Sequence, residues 1–160
     1  MKIHLLLSLL ISLFFTTSTF AADTNKQKPT HNEDSTLIRK NYPNLPAPAG
    51  PYSIAVRHNN TLYLSGITAF GTPAQDKSMA EQAKAIFEQI KQITQAEGIG
   101  MRELIKVTIY VTSTDDITTL RQLLSEQYEG HNPASSLIHI AGLATPELNI
   151  EIEAIFAIPQ

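Results

Sequence analysis

Glu151 and Glu153 interrupt the apolar alternation Ile150-Glu151-Ile152-Glu153-Ala154-Ile155-Phe156. A carboxylate in such a strand can orient an attacking water, or it can simply pair with a cation on the same face, such as Lys106. Both readings stay open on these residues alone. In Pro133-Ala134-Ser135-Ser136-Leu137-Ile138-His139-Ile140 the period of two places Ser135, Leu137 and His139 on one face, about 6.5–7 Å from one to the next. Protonated, His139 would hold an anion, and neutral it would serve as a base; it can equally be a partly exposed strand histidine with no role. His31, His58 and His131 show no ligand spacing with one another or with a carboxylate, so no metal site is expected. Arg57 and Arg102 read as surface residues. The chain has no cysteine, which removes thiolate catalysis, thiolate metal sites and disulfides together.

The elements that must position these groups follow from periodicity. The two alternating segments read as strands, and the turn between them, with Gly142, Thr145 and Pro146, makes an antiparallel pair the expectation. Upstream, the proline-rich stretch from Asn41 to Pro51 must run extended. Ser53–Arg57 and Leu62–Ser65 read as short strands around an Asn59-Asn60 turn, followed by a loop from Gly66 to Gln75. Ser78 and Glu81 form a capping box, and Met79, Ala83, Ile86, Phe87, Ile90 and Ile93 recur at helical spacing up to Gly98. Leu104–Val111 alternates, with Ile105, Val107, Ile109 and Val111 on one side. A second helix is expected from a cap at Thr114 or Asp115, with Ile117, Leu120, Leu123, Leu124 and Tyr128 inward and Gly130 as its end.

Two helices with one apolar stripe each can cover only one face of the sheet, so the fold class expected is α+β, a two-layer sandwich. The other face would carry Ile155, Ala157, Leu137 and Tyr110 on it or near it. An apolar face of that kind implies a homo-oligomer.

The 160 residues, 42% hydrophobic and 17% charged, suit a single domain with one core. A net charge of −3 with scattered Lys and Arg makes nucleic acid a poor partner. Residues 1–21 read as a signal peptide: Met1-Lys2, then an apolar run from Leu5 to Phe15, then Thr19-Phe20-Ala21 with small residues at the cleavage positions. Cleavage is expected after Ala21, giving a periplasmic or secreted protein. The apolar run falls short of the ~20 residues of a spanning helix, and no cysteine follows it for a lipid, so no stable membrane anchor is expected. Residues 22–43 read as a flexible polar leader and 44–160 as the folded domain.

Gly50-Pro51-Tyr52-Ser53, Leu64-Ser65-Gly66, the Gln82-Ala83 region, Ile105-Lys106-Val107-Thr108-Ile109-Tyr110-Val111, Pro133-Ala134-Ser135-Ser136 and Ile150-Glu151-Ile152-Glu153-Ala154-Ile155 follow one another in an order that resembles the RidA, or YjgF-like, family of reactive enamine/imine deaminases. The resemblance covers about Asn44 to Ile158. It implies a chorismate-mutase-like fold, a homotrimer and a small-molecule ligand in clefts between subunits, with hydrolysis of 2-imino or 2-enamino acids to a keto acid and ammonia and no cofactor. It implies ligand-binding roles for Tyr52, Ser65, Gly66 and the positions of Ser135 and Leu137, and water positioning by Glu151.

Three positions depart from the family pattern. Ser135 stands where active members carry the arginine that grips the substrate carboxylate, and Leu137 stands at a cysteine whose backbone groups are used. Ile67 replaces a common glutamine, which would make the cleft less polar. Losing one partner of a buried charged pair costs about 2–5 kcal/mol, roughly thirty- to several-thousand-fold in binding. Deamination of the family type is therefore expected to be weak or lost, with ligand binding retained, unless His139 supplies the missing cation. An imine hydrolase of altered specificity, using Glu151 and water, is the alternative. An RNA-cleaving role, proposed for some relatives, fits poorly with acidity and export. The enamines that the family removes arise from cytoplasmic pyridoxal-phosphate enzymes, so an exported copy would lie outside that pool.

Overall fold

The computed structural model describes residues 36–160. The expected signal peptide and cleavage point, and the leader up to residue 35, lie outside the described residues. Among those described, no helix is long and apolar enough to cross a membrane.

The fold is an α+β two-layer sandwich. Strands β1 (Leu37–Lys40), β2 (Ala55–His58), β3 (Thr61–Ile67), β4 (Leu104–Val111), β5 (Ala134–His139) and β6 (Ile150–Ala157) form one sheet in the order β1-β2-β3-β6-β4-β5. Helices α1 (Met79–Ala96) and α2 (Ile117–Gln127) join β3 to β4 and β4 to β5. Both β3 and β4 run antiparallel to β6, which lies between them, so β3-α1-β4 is a split β-α-β unit. The tight β2–β3 turn is made by Asn59 at φ 53°, a left-handed conformation that its short polar side chain tolerates.

Helix α1 starts where the sequence dictates. Ser78 Oγ accepts from the Glu81 amide at 3.4 Å, and Glu81 Oε2 accepts from the Ser78 amide at 3.2 Å. That reciprocal cap satisfies two donors that a helix start leaves free. Beyond the helix, Gly98 at φ +71° takes the conformation a side chain would resist. Between these ends Met79, Ala83, Ile86, Phe87, Ile90 and Ile93 are buried against the sheet. Each Ile or Phe so buried contributes about 1.5–3 kcal/mol. From α2, Leu120, Leu124 and the capping residue Tyr128 join the same core, with the Tyr128 ring edge-on to Phe87 at 6.1 Å.

The sheet's two faces are sorted by period. In β6, Ile150, Ile152, Ala154 and Phe156 are buried beneath the helices, while Glu151, Glu153, Ile155 and Ala157 look to the open side. In the register with β4, Tyr110 lies opposite Glu151, Thr108 opposite Glu153, and Lys106 opposite Ile155.

Several expectations are corrected. The segments around Ser135 and Glu151 are not an antiparallel pair: β5 pairs parallel with β4, and β4 separates it from β6. Helix α2 is the crossover that a parallel neighbour requires. Leu137 faces the helix side, because it lies opposite Ile109; Ile138, opposite Tyr110, takes the open face. Ile105 leaves the buried row at a bulge between Leu104 and Lys106 and is 48% exposed. The cap of α2 falls at Asp116, with no side-chain bond, rather than at Thr114 or Asp115. Strand β3 continues through Gly66 and Ile67, which were expected in a loop.

The stretch read as leader contains β1. Its Lys40 holds the Glu97 carboxylate, 2% exposed, with Nζ 2.7 Å from Oε2, and the Tyr42 hydroxyl donates to Oε1 at 2.8 Å. Burial, then the hydrogen bond to Glu97 and its charge, push the Tyr42 phenol far above its ordinary pKa. These bonds tie β1 and the segment after it to the end of α1.

Candidate functional site

Strand β3 and the open side of β6 build one wall of a cleft of about 490 Å³, within the range of small-ligand pockets. Tyr52, Ser65, Gly66 and Glu151 all line it. A bulge between Leu64 and Ile67 breaks the pairing with β6 at this point. Gly66 lies there under the Glu151 side chain, and a Cβ at position 66 would fall 2.6 Å from Glu151 Cδ and 2.9 Å from its Cγ. Only glycine leaves room for that carboxylate to lie over the strand.

Ser65 ties the wall together rather than facing a ligand with its hydroxyl. Its Oγ donates to the Ser53 carbonyl at 2.8 Å, and its amide donates to the Ile54 carbonyl at 3.0 Å. The Tyr52 hydroxyl accepts from the Ala49 amide at 3.2 Å, while the ring stays 48% exposed.

The Glu151 carboxyl is half-buried, and its pKa lies above the usual carboxylate range, first because burial penalises its charge and second because Glu153 repels it. The sequence left open a pairing with Lys106; that lysine lies opposite Ile155 and Ala134 instead. Among the described residues, the ion pairs do not include Glu151. Glu153 accepts from the Tyr110 hydroxyl at 3.3 Å. Among the described residues no cluster of His, Asp or Glu has the geometry of a metal site.

Ser135, Leu137 and His139 are not in this cleft. They lie on β5, at the sheet edge, with β4 and β6 between them and β3. Ser135 lies opposite Val107 on the helix side, and its hydroxyl lies against that of Tyr128, whose phenol pKa burial raises and this contact lowers. The His139 ring is bound through Nε2 to the Thr112 carbonyl at 3.1 Å. Within one protomer His139 therefore does not replace a cation in the cleft. Ile67, 4% exposed and opposite Ile152, belongs to the core and borders only the smaller adjoining cavity that shares Tyr52, Gly66 and Phe70 with this cleft.

The sequence reading missed the rest of the cleft. Thr68 and Phe70 come from the loop after β3, and Ala144, Thr145 and Leu148 from the segment before β6. It also missed what holds these loops. Gln82, fully buried in the first turn of α1, shares the two N–H groups of Nε2 among the carbonyls of Gln75, Lys77 and Glu147 at 2.9, 3.1 and 2.7 Å. Its Oε1 accepts from the Asn149 amide at 2.8 Å. Gln89, one face-repeat further on, donates to the Thr68 carbonyl at 2.8 Å. A polar residue at an inward helical position was the available signal.

This is a two-layer α+β protein with a half-buried, unpaired carboxylate in an open cleft. It belongs to the family described as Endoribonuclease L-PSP, whose model matches residues 42–158, and this is the RidA/YjgF-like family that its motifs resemble. The 2-iminobutanoate/2-iminopropanoate deaminase of Bos taurus is 32% identical over 76% of this chain and 91% of its own length. The enzyme of that name from Dermatophagoides farinae is 30% identical over 72% and 92%. Among solved structures, RidA from an Antarctic Psychrobacter is 30% identical, with a TM-score of 0.65, over 71% of this chain and 93% of that one. The yeast protein YEO7 superposes with a TM-score of 0.71 at 28% identity, over 78% and 100%.

Proposed function

We propose that this chain binds a small molecule in the Glu151 cleft and deaminates 2-imino acids only weakly. The observation that carries this reading is the composition of the cleft. It keeps Tyr52, Gly66 and Glu151, the groups that line it and would hold a water, but among the described residues its walls contain no Lys, Arg or His. A substrate carboxylate would meet no cation there and would be repelled by Glu151.

In the proposed assembly, a homotrimer, the β5 edge of a neighbouring copy closes the cleft. Supporting this are the six exposed residues of β5 and the exposed Tyr63 and Ile138 on the open face. The neighbour would then bring Ser135 to the ligand, one neutral hydroxyl where relatives bring a guanidinium. The proposal includes export: an N-terminal sequence of signal-peptide type supports a location outside the cytoplasm, away from the pool of reactive enamines. A net charge of −3 gives no reason to invoke nucleic acid.

A second reading is favoured by the state of Glu151. An unpaired carboxyl with a raised pKa can accept a proton from water as it attacks a C=N carbon, releasing a carbonyl compound and an amine or ammonia. This is imine hydrolysis on substrates that need no carboxylate grip. The deciding experiment assays freshly generated 2-imino acids with the purified protein and with Ser135→Arg. The arginine variant should release keto acid at least thirtyfold faster; equal rates would overturn the reading.

A further inference from the structure

The cleft's chemistry also limits what its ligand can be. Among the described residues its only acidic lining residue is Glu151 and no basic side chain lines it, and Glu153 faces the same open side two residues along β6. Its lining also includes two exposed aromatic residues, Tyr52 at 48% and Phe70 at 44%. The remaining wall is mostly small or apolar, with Ala49, Ala144 and Leu148. A carboxylate and aromatic side chains lining one cleft can together attract an organic cation, the one by charge and the others by their ring quadrupoles.

Building on the reading that this cleft is the ligand site, we infer that it takes a small organic cation, a protonated amine or iminium on an apolar body without a carboxylate, its nitrogen against Glu151 and its body between Tyr52 and Phe70. The volume of about 490 Å³ suits a ligand of modest size. Competing charges do not cancel the preference. Lys106, on the same open face, lies opposite Ile155, four residues along β6 from Glu151, and lines a separate cavity with Glu153, while Lys77 is paired with Asp76 at 3.2 Å and Lys40 with Glu97 at 2.7 Å. The Tyr110 hydroxyl, opposite Glu151 in register, is bonded to Glu153.

The test is an NMR titration of the full-length purified protein with three probes of one skeleton: n-butylammonium, n-butanol and butyrate. The reporters are the backbone amides of Gly66, Phe70 and Glu151. Butylammonium should bind at least tenfold more tightly than butyrate, and Glu151→Gln should remove that preference. Phe70→Ala, at an exposed position, should weaken butylammonium severalfold without unfolding the protein. If butyrate shifted the same amides with equal affinity, the cleft would stand as a ligand site and the cation assignment would fall. If butylammonium affinity were unchanged in Glu151→Gln, the assignment would fall as well. If neither these probes nor a 2-imino acid shifted the cleft amides, both the assignment and the binding function would be overturned.

Discussion

The Glu151 carboxyl group occupies the space that a side chain at Gly66 would need. Gly66→Ala should therefore displace the carboxylate from the cleft, at a cost of about 1–3 kcal/mol for overpacking. Two-state urea unfolding would measure this. Because the clash is with one side chain, Glu151→Ala in the same protein should restore most of the loss, and the double mutant should be markedly more stable than the sum of the single changes. Additive losses would show that the glycine is needed by the backbone instead.

Glu151 also makes a prediction about pH. Its folded pKa is raised by burial and by Glu153, above the ordinary ~4.3 of an unfolded glutamate. The folded protein thus binds this proton more tightly than the unfolded chain does. The resulting stability is fully present below about pH 4.3 and is lost as pH rises through the folded pKa. Glu151→Gln should remove that slope and leave the variant more stable than the wild type at neutral pH. The comparison of urea midpoints at acid and neutral pH gives the answer, and parallel pH profiles would refute it.

The Lys40–Glu97 pair tests how β1 is held. Lys40→Met leaves the Glu97 carboxylate buried, with only the Tyr42 hydroxyl as partner. Removing one member of a buried pair costs about 3–5 kcal/mol; the partial exposure of Lys40 argues for the lower end. Adding Glu97→Gln should recover much of the loss, since a neutral amide needs less solvation. Hydrogen exchange at β1 amides should accelerate in Lys40→Met and not in the double mutant.

Much of the fold was legible because periodicity reports which face a residue occupies. The buried rows of α1 and β6 and the capping box at Ser78 follow directly from spacing. Periodicity does not report neighbours, which is why β5 and β6 read as partners although β4 lies between them. A bulge shifts parity by one, so Ile105 was misplaced, and β1 was hidden because its four residues sit at the end of a polar stretch and depend on Glu97, 57 positions away. At the site, Glu151 stood out as a carboxylate in an apolar strand, whereas Tyr52, Ser65 and Gly66 were singled out only through the family motifs. Phe70 and the Gln82 bracket lay outside those motifs' assigned roles: an inward helical position marks Gln82 as a buried amide but does not say which loops that amide reaches.

Gln82 gives the last prediction. One fully buried amide joins the loop carrying Phe70 to the segment carrying Thr145 and Leu148, through three carbonyls and the Asn149 amide. Gln82→Met keeps the volume and the helix propensity but strands those backbone groups, and each buried group left unpaired costs about 1–3 kcal/mol. The loops can relieve the penalty only by moving toward water, which opens the cleft. Hydrogen exchange at Asn149 should rise, and cleft ligands should bind at least tenfold more weakly, while α1 keeps its protection through Ile86, Phe87 and Ile90. Gln82→Glu separates geometry from hydrogen bonding. It keeps an acceptor for Asn149 but turns a charge toward three carbonyl oxygens, so it should open the cleft at least as far as methionine does. Unchanged binding in both variants would mean that the cleft's shape is set by the strands and not by this bracket.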